Sequence, residues 1–366
     1  MSPFVKAKFA ACFVVLLAVS TMSAQVIANT KPGTGGTGTT PPIVYNGGPV
    51  MSANPVNVYI IWYGSWNATG SDTPDTQNLV QHFISSFSGS PLALVNTLYN
   101  DSTGPVSGTY QLGGPGGSPA VNTAYSSTFD TTTASTNPVS AFSSTFTSSG
   151  GTVSSTTTST STKTSTKKNI TDGGVEKLVA TTLNNGQLPR DPNGVYLVLT
   201  SSDINESSEG GFCGAPSSTP SKSGFCGWHN HAPMGGVDIK FAFIGNPDRC
   251  AQLQTAGQCE VQTTGPNSPA VGVGGADGMV NIIAHEISEA TTDPDMDAWH
   301  NSASAENADV CNFNFGFKSL CGTGGLCSTS GNFEASWYNQ TFGNNNWLIQ
   351  QLGEPNQSPP SCVPHL

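Results

Sequence analysis

Hydrophobic residues in this chain gather into short dense runs of two alternating kinds, separated by long polar stretches. Val56 to Tyr63 (Val-Asn-Val-Tyr-Ile-Ile-Trp-Tyr) is β-branched and aromatic, the mark of a strand buried on both faces. Thr73-Pro74 then supplies an N-cap and a first-turn proline. Leu79, Val80, Phe83, Ile84 and Phe87 keep to one helical face until Gly89. The alternation repeats with an amphipathic helix, Val175 to Leu183, stopped by Asn184-Asn185-Gly186. Pro192-Asn193-Gly194 turns the chain into a second buried strand, Val195 to Thr200, and Val237 to Ile244 reads as a third. Ala276 to Thr292 forms the last helix, with Asp277 as N-cap, Met279, Ile282, Ile283, Ile287 and Ala290 as apolar face, and Pro294 beyond its end. Helix and buried strand in alternation predict an α/β (or α+β) fold: a zincin-like core with disulfide-stapled C-terminal loops.

The first residues bear on where the protein works. Lys6 and Lys8 precede an apolar run from Phe9 to Val19, and small residues follow through Ala24 and Ala28. That order is a secretory signal peptide, assigned to residues 1–28, with cleavage after Ala24 or Ala28. Residues 29–43 read as a flexible Gly/Thr/Pro tether, and 44–366 as a single domain carrying a Ser/Thr-rich insertion around 126–168. The insertion is expected as exposed strands and loops. No later stretch approaches membrane-spanning length, so the mature chain is expected to be exported, with no membrane association after cleavage.

Cysteine usage agrees with export. Of nine cysteines, Cys12 lies in the leader, and the other eight fall in the C-terminal half, an even set that points to four disulfides. Proximity along the chain suggests Cys213–Cys226, Cys250–Cys259 and Cys321–Cys327, leaving Cys311–Cys362, although spacing alone does not fix connectivity. Twelve Lys+Arg against 23 Asp+Glu give a formal charge of −11, which excludes nucleic acid as a partner held through phosphates. Six sequons, among them Asn169, Asn205 and Asn339, are glycan sites only in a eukaryotic host.

The chemistry concentrates in His285-Glu286-Ile287-Ser288-Glu289, an H-E-x-x-E segment within the last helix. Positions four apart share a helical face, so His285 and Glu289 are placed to hold one cation. Glu286, one step round, would face a water held there and serve as general base, the catalytic residue of the set. A third ligand is expected from a following helix, and Asp309 lies twenty residues past Glu289, with Glu306 close by. One imidazole with two carboxylates is a harder donor set than His/His/Glu, so Zn2+ would bind less tightly and Ca2+ or Mn2+ is open. The competing reading is a buried polar network in which His285, Glu289 and Asp309 tie two helices together without a metal.

Other polar candidates are weaker. His229 and His231, in Trp228-His229-Asn230-His231, can supply a ligand, against the simpler expectation of loop histidines satisfied by nearby backbone. Asp203 ends a buried strand, where a functional side chain and a turn cap are equally at home. Trp62, Tyr63 and Trp66 suit sugar stacking, with burial the better expectation for Trp62. His82 reads as a surface residue. There is no Gly-rich phosphate loop and no Gly-x-Ser-x-Gly elbow.

Several segments taken in order resemble one family. Tyr45-Asn46-Gly47-Gly48-Pro49-Val50-Met51, Ile60-Ile61-Trp62-Tyr63-Gly64 and Leu188-Pro189-Arg190-Asp191 begin the series. Gly194 to Asp203, Gly211-Phe212-Cys213, Phe225-Cys226-Gly227-Trp228-His229 and Asp277-Gly278-Met279-Val280 continue it, and His285 to Trp299 with Ala308-Asp309-Val310-Cys311 closes it. Together they are similar to the phosphate-induced protein 1, or EXORDIUM-like, family. The Ser/Thr-rich middle, the longer Cys213–Cys226 loop and Thr291-Thr292-Asp293-Pro294 depart from its pattern and mark a distant member. The resemblance implies an extracellular protein, in the apoplast or cell wall if from a plant, linked there to growth. Two functions stand side by side: a secreted metal-dependent, peptidase-like hydrolase, or a non-enzymatic factor that binds cell-wall polysaccharide or an extracellular protein.

Overall fold

The protein is described from a computed structural model, over residues 25–28, 40–67, 70–114, 118–130, 168–208, 210–214, 224–252, 259, 262, 265–267, 274–321 and 336–364. Its central sheet contains β1 (Gln25–Ala28), β2 (Val56–Tyr63), β3 (Tyr110–Leu112), β4 (Ala120–Thr123), β5 (Gly194–Thr200), β6 (Phe225–Met234) and β7 (Val237–Ile244). Across the sheet the order is β1-β6-β7-β5-β2, with β3 and β4 sharing the far edge of β2. β7, β5, β2, β3 and β4 run parallel, whereas β6 is antiparallel to both β1 and β7. β2 and β5 are buried at every position, which explains their largely apolar sequences, with Asn57 the polar exception in β2.

Three longer helices flank the sheet: α1 (Pro74–Phe87), α2 (Asp172–Asn184) and α3 (Gly275–Thr292). α1 and α2 begin at Thr73 and Thr171, whose hydroxyls accept from Thr76 N and Gly174 N. α1 packs on α3 and on β3, while α3 packs against β5, β6 and β7. Every residue of α3 is buried. The expected apolar stripe is therefore only part of its buried surface, and its polar side chains are inside as well.

The start of α3 corrects one expectation. Asp277 lies within the first turn instead of capping it, and its carboxylate accepts from Asn267 Nδ2 at 2.9 Å. Gly274 is the N-cap and has no side chain to offer. The cap comes from a distant loop: Asp248 Oδ1 accepts from Gly275 N at 3.0 Å, and its Oδ2 accepts from Ser71 Oγ at 2.6 Å and Ser71 N at 2.9 Å. Asp72 extends this knot, accepting from Ser202 N and Asn246 Nδ2, both at 2.8 Å. Buried hydrogen bonds thus tie α3 to the loop before α1 and to the residues after β5 and β7.

The disulfides differ from the proximity guess. Cys213 pairs with Cys250 and Cys226 with Cys259, while Cys311–Cys362 is as expected. The Cys213 segment lies alongside the start of β6, Cys213 N donating to Phe225 O at 3.1 Å, yet each cysteine bonds a partner more than thirty residues further on. Cys321 is also disulfide-bonded, and its expected partner Cys327 lies outside the described residues. Ile43, at the end of the expected tether, is buried beside Val50, Tyr99 and Trp299. Most of the expected insertion lies outside the described residues, apart from a turn at Ser127–Phe129 and a short strand at Lys168–Ile170. Among the sequons, Asn339 donates to Phe315 O and Ile349 O, which commits its amide to internal bonds.

Asp248→Ala should lower the unfolding free energy by about 2–4 kcal/mol, through loss of the cap and stranding of buried donors. Urea denaturation of the folded variant measures this, and an unchanged midpoint would show that α3 does not depend on the distant cap.

Candidate metal centre

α3 brings His285, Glu286 and Glu289 against β6, and the backbone of β6 permits it at Gly227. A Cβ there would lie 2.6 Å from Ile282 Cγ2 and 2.7 Å from Glu286 Oε1, so a side chain would push the helix away. Strand alternation puts His229 on the same face as Gly227, toward α3, and sends Trp228 to the opposite face, stacked on Phe243. Beyond α3 the chain returns through Glu306 to a 3-10 turn at Asp309–Cys311. Asp309 thus comes from this turn and not from a second α-helix, as the sequence had suggested.

The four acidic and two imidazole side chains meet around Glu289. His285 Nε2 lies 2.9 Å from Glu289 Oε1 and 3.6 Å from Asp309 Oδ1. On the other side, His229 Nε2 lies 3.9 Å from Glu289 Oε2 and 3.0 Å from Glu306 Oε2. Each of the two sets, His285/Glu289/Asp309 and His229/Glu289/Glu306, offers three ligand atoms within 4.8 Å of one another. Glu289 also accepts from Asp309 N at 3.1 Å, which fixes the turn to the helix.

Burial is nearly complete. His229, His285, Glu286 and Glu306 are 0% exposed and Glu289 is 1%, whereas the Asp309 side chain is 16% exposed. Both Glu286 oxygens, Glu306 Oε1, His229 Nδ1 and both His285 nitrogens make no hydrogen bond. His285 Nε2 is therefore close to Glu289 without the alignment a hydrogen bond requires. Such orphaned lone pairs are costly in a protein interior, and cations are what a set of imidazole and carboxylate donors would satisfy.

The electrostatics follow from that burial. Removal from water, reinforced by Asp309, pushes the Glu289 carboxyl up to about 7. Burial raises Glu286 and Glu306 well above the usual carboxylate range, and the neighbouring Glu289 adds to both. Burial and the charge of His285 lower His229 to about 3. Burial opposes the charged form of His285 too, but Glu289 and Asp309 outweigh it and raise that imidazole well above its ordinary value.

The remaining sequence candidates lie elsewhere. Asp203 pairs with Lys168 at 2.5 Å and accepts from Ser201 Oγ, a role in the turn after β5. His231 bonds Asp238 at 2.9 Å in a half-exposed group where Lys240 also pairs with Asp238. Trp62, Tyr63 and Trp66 are all buried, so none can stack on a sugar. His82 lies on α1 and bonds Gly343 O at 2.7 Å. His229, expected on a loop, stands on β6, and the period-two alternation from Gly227 through His231 is the signal in the sequence that points to a strand.

Fold and site together define an α/β protein with a buried imidazole–carboxylate centre between its last long helix and an antiparallel strand. The family model described as Phosphate-induced protein 1 conserved region matches residues 117–363, and the chain belongs to that family. Protein EXORDIUM-like 5 of Arabidopsis thaliana is 26% identical over 339 residues, covering 85% of this chain and 75% of that protein. Protein EXORDIUM-like 3 of the same plant is 26% identical over 335 residues, covering 84% and 79%. No solved structure matches the chain.

The raised groups set a pH dependence. Glu289, Glu286, Glu306 and His285 hold protons more tightly folded than unfolded, so their contribution to stability is lost as pH rises through their folded values. His229 is lowered, and its contribution is complete once pH exceeds its ordinary 6.5. Above about pH 6.5 only the first kind still titrates, so chelator-treated protein should melt at a lower temperature at about pH 8 than at pH 6.5. Scanning calorimetry checks this, and a flat or rising melting temperature would contradict it.

Proposed function

We propose that this protein is an exported, metal-dependent hydrolase acting on peptide or other amide bonds. One observation carries the reading: a helix and a separate turn bring His285, Glu289 and Asp309 within ligand distance of one another, with Glu286 buried and unpartnered beside them. The donors fit a divalent cation, and their two carboxylates to one imidazole leave Zn2+, Mn2+ and Ca2+ as candidates. When bound, such an ion polarises an amide carbonyl and acidifies water. His285, Glu289 and Asp309 would hold it. Glu286 would take the proton of the attacking water and return it to the leaving nitrogen as the carbon–nitrogen bond breaks. Asp309, the ligand that reaches solvent, marks the side from which substrate would approach. Export is supported by three described disulfides and by the basic-apolar-small order of the first residues.

A second reading draws on the closure of the centre. Two cavities among the described residues lie elsewhere, one beside α1 at Thr76, Leu79 and His82, the other at Thr97, Gly104 and Ser107. In this reading a cation staples the fold of a non-enzymatic extracellular factor that binds polysaccharide or a protein partner.

Glu286→Gln separates the two. Under the hydrolase reading it retains bound metal and loses at least about 100-fold in turnover of a peptide library, as expected for removal of a general base. Metal analysis with the library assay measures both. Equal peptide cleavage by variant and wild type would remove Glu286 from the chemistry. No cleavage by either, with wall-polysaccharide binding intact in both, favours the factor.

A further inference from the structure

The structure points to a second cation beside the first. We propose that Glu289 bridges two divalent ions, one held by His285 and Asp309 and the other by His229 and Glu306. This rests on the metal reading of the first set.

The geometry divides the Glu289 carboxylate between two clients. Oε1 faces His285, while Oε2 faces His229, which in turn lies against Glu306. A carboxylate offering one oxygen to each side is the bridging ligand of two-metal sites, whose ions stand about 3.5–4 Å apart. His229 and Glu306 come from different segments, a strand and a loop, yet both are 0% exposed. Glu306 Oε1 and His229 Nδ1 lack any partner, so the contact between these residues leaves ligand capacity unused.

Charge favours a second ion as well. Glu289 and Asp309 act on Glu286, and Glu289, Asp293, Asp309 and Glu286 all act on Glu306, so the carboxylates form one neighbourhood. Among the described residues the lysine ion pairs go to Asp203, Asp238 and Asp295, and none reaches this neighbourhood. A single divalent ion can offset at most two carboxylates, so a second ion lowers the cost of holding this group in a water-poor interior. The His231/Asp238/Asp295 group, by contrast, is partly exposed, and Lys240 pairs with both of its carboxylates.

The test is stoichiometry on full-length protein exported from a secretory host, with ions counted by mass spectrometry after loading with Mn2+ and by electron paramagnetic resonance. Two bound ions with an exchange-coupled spectrum are expected for wild type. Glu306→Gln, close in shape, and His229→Ala should each hold one ion with an isolated six-line spectrum, while circular dichroism confirms that they fold. The wild-type spectrum needs no variant and stands if either fails to fold. One ion in wild type, kept by Glu306→Gln and lost by His285→Ala, overturns the second site and leaves the first intact. One ion lost by His229→Ala but kept by His285→Ala overturns the pair and relocates the centre. No ion in loaded wild type overturns both readings.

Discussion

A carboxyl group taken out of water must be neutralised, and this molecule takes out several at once, between α3 and β6. The cost of leaving them charged and alone exceeds what a single hydrogen bond returns, so their neutralisation decides whether that interface is stable. Much of the surrounding structure holds the arrangement in place. Gly227 lets the helix approach, Asp248 anchors the helix start, and Glu289 grips the backbone of the Asp309 turn. The chemistry proposed for the centre and the integrity of the sheet–helix contact are therefore one physical question.

Much of the fold was legible because its elements carry local signals. Val56–Tyr63 and Val237–Ile244 matched their strands residue for residue, and Thr73-Pro74 marked the start of α1, since buried strands and capped helices are written in adjacent residues. The disulfides were not local. Cys226 finds Cys259 because β6 and a distant loop meet in space, which no count of intervening residues reveals. Asp277 failed as a cap for the same reason: the group serving the α3 terminus is Asp248, whose nearness is a product of tertiary folding.

The candidate centre divides along the same line. His285 and Glu289 were visible as a helical i, i+4 pair, and Asp309 as an acidic residue at a suggestive offset. Their closeness to His229 and Glu306 was not, because it depends on which face of β6 turns toward α3 and on where the loop after α3 returns. The aromatic candidates misled for a simpler reason: Trp66 suits sugar stacking by residue type, yet it packs edge-on against Trp62 in the core.

α3 has no outward side, since all of its residues are covered. Of the side chains gathered round Glu289, that of Asp309 is the one partly open to solvent. An ion held there would exchange at a rate set by opening of the Asp309 turn, a kinetic latch distinct from equilibrium affinity.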